Sequence, residues 1–77
     1  MAELMVDIRP VLPRDRFDVI ADSYRTLEPG GTLAFTFEHE PNGLTFALEA
    51  VAGIGAFRVS HAEVDEMVWR AEVERVV

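Results

Sequence analysis

The stretch Val6-Asp7-Ile8-Arg9-Pro10-Val11-Leu12-Pro13 joins two different hydrophobic periods. Before it and into it, Leu4, Val6 and Ile8 alternate with Met5 and Asp7, the mark of a half-buried strand. After it, Phe17, Ile20, Ala21 and Tyr24 stand at i, i+3, i+4 and i+7, so residues from about Pro13 to Leu27 form an amphipathic helix. Pro13 suits the first helical position, where its missing N–H would have no partner. Asp15 places negative charge at the positive end of the helix dipole, and Glu28-Pro29-Gly30-Gly31 stops the helix.

Working outward, Leu33, Phe35 and Phe37 alternate with Thr32, Ala34, Thr36 and Glu38. This is a second strand with one large apolar face and a second face expected to meet water. A polar loop through His39, Pro41 and Asn42 leads to Leu44, Ala47, Leu48 and Val51, again at helical spacing and ended by Gly53 and Gly55. Phe57 and Val59 alternate with Arg58 and Ser60. After a turn near Asp65-Glu66, Trp69, Ala71 and Val73 alternate with Arg70, Glu72 and Glu74, and the two strands read as a closing hairpin.

The order βαβαββ places the chain in the α/β class, as a two-layer sandwich with both helices on one face of a four-stranded sheet. At 77 residues, one domain spanning 1–77 is expected. A strand joined to the next through a helix normally pairs with it in parallel. Both C-terminal loops then share an edge, which brings Arg9 to Arg16 near Glu38 to Asn42, beside the N-termini of both helices.

Composition narrows the function classes. Fourteen acids face seven arginines and no lysine, for a net charge of −7. Nucleic-acid binding depends on clustered cations that displace counterions, so a nucleic-acid partner is not expected. Residues Met1 to Arg9 mix Glu3, Asp7 and Arg9 into the apolar run, unlike a basic segment followed by an apolar one, and no stretch approaches the ~20 apolar residues of a membrane span. A cytoplasmic protein without a membrane partner is the expectation. A domain this size buries only about 60% of its unfolded surface, and without cysteine it has no disulfide to help. Partner chains or a fused neighbour would add stability.

Two clusters carry candidate chemistry. Arg9, Arg14 and Arg16 fall within eight positions at the predicted loop and first helical turn. With free backbone N–H groups they form a candidate anion site for a carboxylate, phosphate or sulfur oxyanion. The alternative is internal pairing of these arginines with Glu38, Glu40, Asp7 or Asp15. His39 lies between Glu38 and Glu40 and ahead of Pro41. It reads as a structural histidine bonded to loop backbone, as a tuned acid–base group or as a metal ligand, while His61 belongs to another element. No metal motif is present, because no Cys or His spacing supports one. Pro41 or Asn42 is expected to start the second helix. Trp69, Phe35, Phe37, Phe46 and Phe57 are assigned to the core, which in so small a domain needs nearly all of them.

Asp7-Ile8-Arg9, Arg16, Pro29-Gly30, His39-Glu40-Pro41 and the closing Trp69-Arg70 together resemble the uncharacterised DUF2249 family within the SirA-like or TusA-like fold group. The resemblance covers nearly the whole chain. It implies a mixed sheet in which the last strand sits between the second and third. Members of the wider group that relay sulfur use a persulfide on the cysteine of a Cys-Pro-x-Pro motif at the start of the first helix. Here that segment is Leu12-Pro13-Arg14-Asp15. Neither Ser nor Thr forms the sulfur–sulfur bond that is transferred, so this chain cannot relay sulfur by itself. It also departs from the family pattern where Phe17 stands in place of a histidine and where the preceding proline run is thinner.

The functional expectation is a small non-catalytic binding or regulatory module, needing no cofactor. It would present Arg9, Arg16, His39 and Glu40 to a protein partner or a small anion. The alternative is an accessory domain that docks to sulfur-transfer or redox partners. An enzyme acting through His39 comes third.

Overall fold

The computed structural model describes residues 4–77 and contains six elements in the expected order. These are β1 (Leu4–Asp7), α1 (Pro13–Arg25), β2 (Thr32–Phe37), α2 (Leu44–Ala52), β3 (Phe57–Asp65) and β4 (Val68–Arg75). The sheet runs β1-β2-β4-β3, with β1 parallel to β2 and the other pairs antiparallel. The last strand therefore lies between the second and third, as the family resemblance implied.

Register explains why one sheet face is apolar. Leu33 stands opposite Val73 and Phe35 opposite Ala71, while Leu4 and Val6 stand beside Leu33 and Phe35 from the other side. Those side chains share a face because strand side chains alternate. Against them pack Ile20 and Tyr24 from α1 and Leu44 and Leu48 from α2, so both helices cover the same face. Phe35, Leu33, Ile8 and Leu48 are completely buried. The opposite face carries Thr36, Arg70, Glu72 and Glu74 in matching register and has no helix over it.

Three packing expectations are corrected. Phe46, assigned to the core, is 76% exposed. It lies two residues from the buried Leu44, and two helical steps turn a side chain about 200° away. Phe17 begins the apolar stripe of α1 yet stays about half exposed, because it sits in the first turns, ahead of the buried Ile20, Ala21 and Tyr24. Ala34, expected on a wet face, is buried. Its short side chain lies between strands on both sides, opposite Met5 and Glu72. Phe57 and Trp69 pack on the core's margin and are only partly buried.

The turns follow local chemistry. Gly30 adopts φ 85°, a left-handed conformation that side-chain-bearing residues rarely take, and Gly31 N–H donates to Glu28 O at 2.8 Å. The same turn is joined to the end of β4: Gly30 N–H donates to Arg75 O, and Arg75 N–H donates to Gly31 O at 2.9 Å. The start of α2 differs from expectation. Its N-cap is Gly43 without a side-chain cap, and Leu44 N–H donates to Pro41 O at 3.2 Å, so neither Pro41 nor Asn42 begins the helix.

Candidate binding site at the paired loops

Parallel pairing of β1 and β2 delivers both of their following loops to one edge. Ile8 N–H donates to Thr36 O at 2.9 Å, extending the ladder to the point where the chain turns into Arg9. Arg16, one turn into α1, then reaches across. Its Nε donates to Val11 O at 2.9 Å and its Nη2 to Glu38 Oε1 at 2.7 Å, with a longer bond of 3.4 Å to Arg9 O. The Arg16 side chain is only 18% exposed. One side chain thus ties the β1–α1 loop to the end of β2.

Arg9 is held differently. Its Nε and Nη2 donate to the two carboxylate oxygens of Asp7 at 2.9 and 2.8 Å, a two-pronged pair on the surface. The Arg9 guanidinium holds the Asp7 carboxyl below its ordinary range, and the hydrogen bond from Arg16 does the same for Glu38. Arg14 is exposed on the helix surface. Both arginines named as ligand contacts therefore already have carboxylate partners, so their charge is largely balanced inside the fold.

His39 and Glu40 form the other half of the edge. His39 Nδ1 lies 3.1 Å from Glu40 O, and the Glu40 carboxylate Oε2 lies 3.2 Å from Nε2 of His61. The His61 ring meets Trp69 edge-on, with centroids 5.8 Å apart. His61 joins the site although the sequence placed it on a separate element. It does sit on β3, but the loop after β2 carries Glu40 over to that strand. Alternation along β3 places His61 opposite Ala71, on the helix-covered face, and was the one sequence signal for this contact.

Between α1 and the β2–α2 loop with the start of α2 a cleft of about 170 Å³ opens, with Arg16, His39 and Asn42 beside the apolar Ile20, Phe37, Pro41, Leu44 and Ala47. Arg16 and His39 line it together, whereas Arg9 and Glu40 face elsewhere on the same edge. A larger depression of about 250 Å³ lies on the uncovered sheet face, between Thr32, Arg58, Ser60, Glu72 and Glu74. Its one cation, Arg58, pairs with Glu74 at 3.6 Å, and the region is remote from the paired loops. Among the described residues no three His, Asp or Glu side chains converge as a metal-binding group, and no helix is long and apolar enough to cross a membrane.

Fold and edge together define a two-layer α/β domain whose parallel strand pair presents an Arg/His loop cluster beside a small cleft. The chain matches the model of the family described as "Uncharacterized conserved protein (DUF2249)" over residues 5–75, and it belongs to that family. No curated protein and no solved structure matches it.

Proposed function

We propose that this domain is a small non-catalytic binding module that uses the edge formed by Arg16, His39 and Glu40 to hold a protein partner. The observation that carries this reading is the cleft, at about 170 Å³. Small-molecule sites usually measure about 300–1,000 Å³ and bury most of their ligand. A space this small with an apolar wall suits one side chain of a docking protein. The ion pairs of Arg9 with Asp7 and Arg16 with Glu38 weigh against a free anion, because a carboxylate already balances each guanidinium. The module is read as cytoplasmic.

Affinity capture with the wild-type domain and with Ala47→Arg tests the proposal, since the new guanidinium would fill the cleft. Circular dichroism confirms that the variant is folded. Loss of a defined partner from the variant, with retention by wild type, supports docking, and sulfurtransferases among the captured proteins would specify the accessory form of this role. Thermal melts with phosphate, sulfate, sulfite, thiosulfate and acetate provide the opposing outcome. An anion at ~100 times its dissociation constant adds about 2.7 kcal/mol. Stabilisation of that size, abolished by Arg16→Ala, would replace docking with anion binding.

A further inference from the structure

Glu40 sets the hydrogen-bonding character of both histidines at once. A carbonyl oxygen only accepts, so the contact between His39 Nδ1 and Glu40 O at 3.1 Å requires that Nδ1 carry the proton. In the neutral ring the lone pair of His39 is then on Nε2. A carboxylate also only accepts, so His61 donates from Nε2 to Glu40 Oε2 at 3.2 Å, and its lone pair is on Nδ1. The two imidazoles are opposite tautomers, each assigned by a different acceptor of one residue.

This matters at the cleft, where His39 stands beside Arg16. In the tautomer set by Glu40 O, the free nitrogen of His39, Nε2, is an acceptor. Arg16 contributes donors: its Nε and Nη2 are engaged, while Nη1 has no hydrogen-bond partner among the described residues. A group that both donates and accepts satisfies the pair. Beside Asn42, the rest of the wall, from Ile20, Phe37, Pro41, Leu44 and Ala47, is apolar, and the cleft is large enough for a ring.

We propose that the cleft receives a tyrosine side chain of the partner protein, its ring against the apolar wall and its hydroxyl donating to His39 Nε2 and accepting from Arg16. This rests on the docking role proposed above and names its anchor. Phenylalanine would leave the histidine acceptor unpaired, and an anionic anchor would meet an arginine whose charge Glu38 already balances. Serine or threonine would leave the apolar wall uncovered.

Nuclear magnetic resonance on the isotope-labelled domain tests each part. Long-range proton–nitrogen correlation, at a pH where both rings are neutral, is expected to show His39 protonated on Nδ1 and His61 on Nε2. Titration with p-cresol, the tyrosine side-chain analogue, is expected to shift the amides of Asn42, Leu44 and Ala47. Toluene, which lacks the hydroxyl, is expected to bind about three- to tenfold more weakly. In His39→Phe the two probes should become equal.

Protonation of His39 on Nε2, or equal affinity of the two probes in the wild type, overturns the tyrosine assignment. In the second case cleft binding itself survives. If neither probe moves the cleft amides, the assignment is likewise overturned. The docking role is then judged by the capture experiment with Ala47→Arg, which uses no probe.

Discussion

At Glu38, one ion pair sets an acid limit on stability. Its folded carboxyl titrates below the ordinary value because Arg16 donates a hydrogen bond to it, and Asp7 behaves likewise beside Arg9. A depressed folded value means that the stabilisation is present above the unfolded carboxylate range, near ~4. It is lost as pH falls through the lower folded value. Glu38→Gln is therefore expected to lower the urea midpoint at pH 7 and to approach wild type as pH falls below the ordinary carboxylate range, and a constant gap from neutral to acid pH would refute the account. Buried and marginal aromatic residues separate in the same assay. Phe35→Ala removes a completely buried ring and is expected to cost ~3–5 kcal/mol. Trp69→Ala, at the core's margin, is expected to cost less than Phe35→Ala, and Phe46→Ser to stay within ~0.5 kcal/mol. A Trp69 variant as damaged as the Phe35 variant would show that the indole carries core packing beyond its burial.

Among the elements, the turn between α1 and β2 makes a specific demand on sequence. Gly30 occupies a left-handed conformation, with nothing near the position a Cβ would take. Gly30→Ala is expected to cost ~1–2 kcal/mol through backbone strain alone, with no steric clash to relieve. Equal thermal midpoints for variant and wild type would contradict that strain. Periodicity made the six elements readable because each is governed by neighbours within a few residues. Leu33, Phe35 and Phe37 announce a strand, and Ile20, Ala21 and Tyr24 a helix face, whatever lies elsewhere. The contact between Glu40 and His61 was hidden because it spans 21 residues and depends on where the loop after β2 crosses the sheet. Phe46 was misplaced for a related reason. Its hydrophobicity argued for burial, whereas its helical phase, two positions from Leu44, turned it outward. At the site, the pairing of Arg16 with Glu38 was among the internal partners that composition offered, but neither the cleft nor the tautomers set by Glu40 had a local signature.

Across the whole molecule, the uncovered sheet face and the covered one divide the labour. Apolar residues of four strands and two helices meet on one side, while charged pairs such as Arg58 and Glu74 occupy the other. The covered side depends on β4, which hydrogen-bonds to β2 and β3 and so joins the parallel pair to the rest of the sheet. A peptide ending at Met67 retains both helices and three strands but lacks β4, the interior strand that links β3 to β2. It is expected to give no cooperative thermal transition, and adding a synthetic peptide of residues 68–77 should restore one. A cooperative melt of the shortened peptide alone would show that the helices and β2 suffice. During synthesis the same arrangement has a temporal consequence. Ribosomes make β1, β2 and β3 before the strand that connects them, so the growing chain carries unpaired edges until Val68 to Arg75 have emerged from the exit tunnel. Assembly of this sheet waits on β4, and the interval before that strand emerges is when a chaperone would find the most exposed backbone to hold.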